Sequence, residues 1–140
     1  MALNLTATWA SPQGQPGLDS GWILIQDSTA AAGSLANACY LRVISTGGVE
    51  LADDTGSIVL TNSYTGISWA IPLSNSHCAL NGTASSVVAM TSGGSVMQVT
   101  LNLKLAATWV GKTLSVSLLG INTNYKSGSL TNLESLTVTP

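Results

Sequence analysis

The two cysteines come first among the few residues whose side chains could do chemistry. Only 7% of the 140 residues are charged, and the chain contains one histidine. An average soluble domain carries about 25% charged residues. In an exported domain, Cys39 and Cys78 would form one disulfide, whereas in the cytosol they would remain two thiols. The residue types alone leave both alternatives open.

A short carboxylate motif could support acid–base catalysis. Asp54-Thr55-Gly56-Ser57, followed by apolar Ile58-Val59, is similar to the active-site loop of aspartic proteases. Ser117-Leu118-Leu119-Gly120 is similar to the element that supports such a loop. A homodimer of the retroviral type would supply a second Asp54, so that two carboxylates share one proton. The preceding residue is Asp53, where that family has a buried apolar residue, so catalysis is the remote alternative.

The same aspartates could bind calcium. Asp53 and Asp54, together with Asp19 or Asp27, would offer oxygen ligands. The competing interpretation is an Asx-type turn in which aspartate bonds to the nearby backbone. We expect the turn, and therefore no cofactor, with calcium at Asp53 and Asp54 as the alternative.

The elements that must position these residues are predicted to be strands. Apolar and polar residues alternate with a period of two, most clearly from Met97 to Leu105 and again from Leu3 to Trp9. No segment longer than about ten residues has the 3.6-residue period of an amphipathic helix. The pattern predicts an all-β fold of about 7–9 strands in two antiparallel sheets packed face to face. We expect three tryptophans in the core, namely Trp9, Trp22 and Trp109.

Several segments match one known family in collinear order over nearly the whole chain. They include Asn37-Ala38-Cys39-Tyr40-Leu41, Leu51-Ala52-Asp53-Asp54-Thr55-Gly56, Leu73-Ser74-Asn75-Ser76-His77-Cys78-Ala79-Leu80-Asn81-Gly82 and Trp109-Val110-Gly111-Lys112. On these segments the chain resembles the immunoglobulin-like domains repeated in large, predicted extracellular proteins of environmental bacteria. That family carries a tryptophan in its last strand, where this chain has Leu136 and Val138.

The resemblance implies an architecture and a location. Residues 1–140 would form a single immunoglobulin-like antiparallel β-sandwich, excised from or related to a multidomain surface protein. The location would be extracellular or at the cell surface. Cys39 and Cys78 fall on the cysteine-bearing segments of the family, which favours the disulfide over two thiols.

Composition excludes two classes of partner. Four Lys and Arg residues cannot neutralise many phosphates, so we expect no nucleic acid. No apolar run approaches the roughly 18 residues that a membrane span needs. The polar positions of the strands are filled by Ser, Thr, Asn and Gln instead of charged residues.

These observations predict a non-enzymatic extracellular structural or adhesive module. Its partners would be neighbouring domains or other copies in a homo-oligomer, because the strands lack the lysines that usually block edge-to-edge pairing. The alternative is a carbohydrate-binding module in which exposed aromatic rings stack on sugars. The candidate rings are Tyr40, Tyr64, Trp69 and Tyr125.

Overall fold

A computed structural model of the chain describes residues 2–10, 17–31, 33–44, 48–62, 73–81, 85–88, 96–122 and 131–137. Within these ranges the chain forms eleven β-strands and one 3-10 turn, Ala107–Trp109. No helix in them has the length and apolar character needed to cross a membrane. The strands are β1 (Ala2–Ala10), β2 (Leu18–Asp27), β3 (Cys39–Ile44), β4 (Val49–Ala52), β5 (Ile58–Asn62), β6 (Leu73–Ser74), β7 (Cys78–Leu80), β8 (Ser86–Val88), β9 (Val96–Leu105), β10 (Thr113–Asn122) and β11 (Thr131–Thr137).

The strands form two antiparallel sheets. The five-stranded sheet has the order β1-β9-β7-β6, with β8 also paired to β9. Since β1 occupies one side of β9, β7 and β8 lie end to end along its other side. The six-stranded sheet has the order β11-β10-β2-β3-β4-β5. The predicted all-β antiparallel sandwich is confirmed. The described residues contain more strand segments than the predicted 7–9, partly because segments such as β6 are only two residues long.

The core lies between the inner faces of the two sheets. Successive side chains of a strand point to opposite faces, so the alternating pattern places every second residue inside. The inward residues of β9 from Met97 to Leu105 are all at most 2% exposed. They meet buried residues of the other sheet, among them Ile23, Ile25, Leu41, Val43 and Leu114. Each such large aliphatic side chain stabilises the fold by about 1.5–3 kcal/mol.

Two of the three expected core tryptophans are buried and one is not. Trp9 is 5% exposed and Trp109 is 3% exposed. Trp22 is partly exposed on the outer face of the six-stranded sheet, so its prediction as a core residue is wrong. Its neighbour Ile23 is fully buried, and adjacent strand residues must point to opposite faces.

A pair of glycines makes room for Trp9. Gly21 of β2 lies opposite Gly120 of β10 in the register, and the indole of Trp9 packs against both. A Cβ atom on Gly21 would lie 2.5 Å from Cδ2 of Trp9, closer than van der Waals contact permits. The bare backbone of these residues therefore holds the indole in the core.

Candidate functional site

A disulfide joins the two sheets at one end of the sandwich. Cys39 begins β3 in the six-stranded sheet, and Cys78 begins β7 in the five-stranded sheet. Their sulfurs are bonded, with the Cα atoms 5.7 Å apart. Both residues are buried, and neither cysteine of the chain is free. The predicted disulfide is confirmed.

The side chain of Asn75 ties three segments together beside this disulfide. Its Nδ2 donates to the carbonyl oxygens of Ala38 and Ala52, each at 2.9 Å. Its Oδ1 accepts the backbone N–H groups of His77 and Cys78, again at 2.9 Å. The amide thereby links the residue before β3, the last residue of β4 and the turn between β6 and β7. We call Asn75 and these four bonds the amide clamp.

The amide clamp was not among the features predicted from the sequence. Asn75 lies three residues before Cys78, and its Oδ1 accepts N–H groups two and three residues ahead, which is an Asx-type turn. That local half of the clamp has a signal in the sequence. The two bonds that Nδ2 donates to Ala38 and Ala52 span 37 and 23 residues, and no local pattern indicates them.

The Asp53 carboxylate stabilises the tight turn between β4 and β5. Its Oδ1 accepts the N–H groups of Thr55 at 2.9 Å and Ser57 at 3.1 Å, and also the Thr55 hydroxyl at 2.6 Å. The Thr55 hydroxyl first, and then the backbone N–H groups, lower the pKa of Asp53. Gly56 completes the turn with a φ of 90°. A Cβ atom there would lie 2.9 Å from the backbone of Leu35. This is the Asx-type turn expected from the sequence.

Asp54 connects this turn to the amide clamp. Its Oδ1 accepts the N–H of Ser76 at 2.9 Å, and its carbonyl oxygen accepts the N–H of Asn37 at 3.0 Å. The hydroxyl of Ser76 and then its N–H lower the pKa of Asp54. The carboxylate therefore favours its ionised form in the single chain. The aspartic-protease alternative, which needs a second copy of Asp54, stays a prediction.

The aspartates predicted as alternative calcium ligands lie in different environments. Asp19 Oδ2 lies 3.5 Å from Arg42 Nη2, and Asp27 Oδ2 lies 2.8 Å from Lys112 Nζ. Within the ranges given above, no three His, Cys, Asp or Glu residues gather as a metal site would require. Asp53 accepts hydrogen bonds within its own turn, whereas Asp54 accepts one from Ser76, 22 residues further along the chain.

His77 and Trp109 flank the same end of the sandwich. Their rings stack at 5.2 Å with 24° between the planes. An open cavity of about 210 Å³ lies beside them, lined by residues that include Ser76, His77 and Lys104. His77 Nδ1 is shielded from solvent and makes no hydrogen bond. The ring therefore packs against Trp109, and in the described part of the chain its Nδ1 is not bonded to a neighbouring hydroxyl.

A second cluster lies on the outer face of the six-stranded sheet. The Trp22 and Tyr40 rings lie 5.1 Å apart, and Arg42 Cζ lies 5.3 Å from the Trp22 ring centroid. Arg42 Nη1 reaches Glu50 Oε2 at 3.3 Å, and its Nη2 reaches Asp19. Burial raises the pKa of Tyr40, although the Arg42 charge opposes this. We call Trp22, Tyr40, Arg42, Glu50 and Asp19 the aromatic face.

One of the four predicted sugar-stacking residues, Tyr40, lies within the described residues and belongs to the aromatic face. Tyr40 lies there, beside a tryptophan that the residue pattern had assigned to the core. Tyr64, Trp69 and Tyr125 lie outside the described residues. The structure adds Trp22 beside Tyr40, and the prediction for the other three rings stays a prediction.

The outer face of the five-stranded sheet carries an uncharged ladder of hydroxyl and amide groups. Each rung joins a polar residue of β1 to the residue opposite it on β9, at 2.7–3.0 Å. The rungs are Asn4 with Asn102, Thr6 with Thr100, and Thr8 with Gln98. The ladder shows how these strands present a polar face with few ions.

Comparison with known proteins identified no relative of this chain. The chain matches no protein-family model, no curated protein and no solved structure. The resemblance to bacterial immunoglobulin-like domains therefore stays a prediction, and the function has to be argued from the residues and their geometry.

Proposed function

We propose that this chain is a non-enzymatic structural and adhesive β-sandwich module that acts outside the cell or at its surface. The observation that carries the proposal is the buried disulfide between the two sheets. Disulfides persist in oxidising compartments and are rare where the cytosolic thiol systems keep cysteines reduced. The resemblance of the cysteine-bearing segments to immunoglobulin-like surface domains agrees with that location.

The position of the disulfide supports a mechanical role. It closes a loop with a sequence separation of 39 that contains β3, β4, β5 and β6. Under a pulling force this loop cannot extend until the bond is reduced. The amide clamp lies at the same end, so covalent and hydrogen-bonded ties reinforce each other where the sheets meet.

Thiol trapping in fractionated cells tests the location. We expect the chain in an exported or surface fraction, with no cysteine available to an alkylating reagent until a reductant is added. The matched control is a C39A/C78A variant, which should take up no reagent under either condition. Recovery in the cytosol with two alkylated cysteines would refute the proposal.

Single-molecule pulling tests the mechanical role. A polyprotein containing this domain should unfold in one cooperative step when oxidised. Reduction should lengthen the released chain by about 130 Å, from a separation of 39 residues at up to about 3.6 Å each, less the 5.7 Å already spanned. The C39A/C78A variant should show the long extension with or without reductant. Gradual extension of the oxidised domain without a force peak would refute the mechanical role.

The aromatic face supports one second candidate, carbohydrate binding. Partly exposed Trp22 and Tyr40 lie beside the charged side chains of Asp19, Arg42 and Glu50. Sugar-binding surfaces combine ring faces for stacking with polar groups that bond to hydroxyls. A polysaccharide pull-down should lose binding in Trp22→Ala and keep it in Thr100→Ala, on the opposite sheet. Equal binding by both variants would exclude this face, and Trp69→Ala then tests one of the three other predicted rings.

A further inference from the structure

We infer that the free edge of β1 is the surface through which two copies of this chain associate. β1 ends the order of the five-stranded sheet and pairs with β9 along its whole length, from Ala2 opposite Lys104 to Ala10 opposite Val96. No strand of the described residues pairs with its other side. A strand in this position presents a row of backbone donors and acceptors that another strand can bind.

The edge of β1 lacks the features that usually prevent such pairing. Its nine residues, ALNLTATWA, include no charge, proline or glycine, and its register with β9 is unbroken. Native sheets protect their edges with charges, bulges or very short strands. β1 uses none of these devices.

The other sheet edges in the described residues are protected. β6 and β8 are two and three residues long. β5 has five residues and a register shift beside Ala52, and β11 includes Glu134 and pairs across a register shift at Val116. Among the edge strands that the structure describes, β1 is therefore the one on which a partner can pair over a long, regular register.

Two inward-facing side chains of β1 are also incompletely buried. Leu3 and Leu5 pack against the core but stay partly exposed, whereas Leu103 and Leu101, directly opposite on β9, are fully buried. Among the described strands, β9 has neighbours on both sides and β1 has a neighbour on one side. A further strand beside β1 would cover these two leucines.

A second copy of β1 fits this edge when it runs antiparallel about a two-fold axis at Thr6. Opposite residues then share a face, as antiparallel pairing requires. Leu3 would meet Trp9 and Leu5 would meet Ala7 on the inward side. Asn4 would meet Thr8 on the outward side, and Thr6 would meet itself. All nine residues would pair, and the two five-stranded sheets would become one continuous sheet.

This inference rests on the proposed role as an assembling module and names its partner as a second copy. A two-fold contact of this kind uses the same patch on both copies and closes on itself. The hydroxyl and amide ladder on the outer side would continue across the junction, because the Thr6 hydroxyl already pairs with Thr100 in the same row.

Cross-linking through an added cysteine tests the register. Directly opposite residues of antiparallel strands have Cα atoms about 4.5–5.5 Å apart, within the roughly 4.4–6.8 Å that a disulfide spans. Thr6→Cys should therefore give covalent dimers on mild oxidation. In Thr8→Cys the two added cysteines would lie four residues apart along the strands, about 13 Å, and should give few dimers. Equal yields from both variants, or none from Thr6→Cys, would overturn the inference.

Sedimentation over a range of concentrations tests the edge without cross-linking. Thr6→Lys places two lysines opposite each other and should weaken association by up to about fivefold. The control is Thr100→Lys, which adds the same charge and loses the same hydroxyl pair but lies one strand inside the edge. We expect the control to associate like the wild type. A monomeric wild type, or equal weakening in both variants, would overturn the inference.

The two proposals can fail separately. Dimers through Thr6 in a chain recovered from the cytosol with free thiols would support the interface and refute the extracellular role. A surface-located, oxidised chain that stays monomeric would support the extracellular role and refute the interface.

Discussion

Replacing Asn75 by aspartate tests whether the amide clamp holds the disulfide end of the sandwich together. The substitution keeps the shape of the side chain and the Oδ1 acceptor for the His77 and Cys78 N–H groups. It replaces the Nδ2 donor by an oxygen that would lie 2.9 Å from two carbonyl oxygens. Two attractive contacts thereby become repulsive ones.

The magnitude follows from the bonds that are lost. A hydrogen bond of this type contributes about 0.5–1.5 kcal/mol net, so two of them contribute about 1–3 kcal/mol. Repulsion between the new carboxylate and the carbonyls of Ala38 and Ala52 adds to this. We expect Asn75→Asp to lower the free energy of unfolding by about 3 kcal/mol at pH 7. Asn75→Ala, which loses all four bonds, should lower it by about 2–4 kcal/mol.

The pH dependence separates the clamp from a mere packing effect. A protonated aspartic acid at position 75 can donate one hydrogen bond to a carbonyl, so folding favours its neutral form and raises its pKa. A raised folded-state pKa gives stability at low pH that is lost as the pH rises through that pKa. The free energy of unfolding of Asn75→Asp, relative to that of Asn75→Ala, should therefore rise as the pH falls through this raised pKa toward about 4, where the unfolded carboxyl also becomes protonated.

Urea unfolding of the oxidised protein from pH 3 to pH 8 measures these differences. Wild type and both Asn75 variants should be compared at each pH, with the disulfide verified as intact. A free energy of unfolding for Asn75→Asp within about 0.5 kcal/mol of wild type at pH 7 would refute the clamp. A difference in free energy of unfolding between Asn75→Asp and Asn75→Ala that does not change with pH would refute the assigned donor role of Nδ2.

Three further predictions concern other contacts. Reduction of the disulfide should lower the free energy of unfolding by about 4 kcal/mol on the chain-entropy model for a separation of 39, as urea denaturation with and without reductant will show. The Lys112 amine first, and then Thr29, lower the pKa of Asp27, so the stability that this carboxylate contributes should be lost as the pH falls below about 4. Asp27→Asn should flatten that acid dependence of the urea midpoint, and an unchanged acid slope would contradict the assignment. Gly21→Ala should lower the melting temperature by several degrees or prevent folding, because its Cβ would overlap the Trp9 indole. An unchanged melting temperature would show that the Trp9 indole can adopt another position without loss of stability.

The strands could be predicted because their signal is local. Alternation from Met97 to Leu105 places every second residue on one face, and those residues are the buried ones. The same rule would have placed Trp22 outside, since Ile23 and Ile25 lie on the opposite side of β2. The general tendency of tryptophan to be buried outweighed the register of the strand in that prediction.

The Asx-type turn at Asp53 could also be predicted, because the aspartate and the N–H groups that it accepts lie within four residues. The long-range half of the amide clamp could not. Ala38 and Ala52 contribute backbone carbonyls, which every residue possesses, so nothing in their identities marks them as acceptors for Asn75. The aromatic face depends likewise on which residues of β2 and β3 become neighbours.

The sequence by itself determined the all-β class, the alternation that builds the core and the charge-poor character of the strands. These follow from side-chain type and a period of two, which act within a single strand. Only the tertiary structure decided which strands share a sheet, that Cys39 and Cys78 join the two sheets, and that β1 ends the order of the five-stranded sheet in the described part of the chain. Those facts depend on pairing between residues far apart in the chain, where the free energy of the whole packed core selects one register among many that each strand alone would accept.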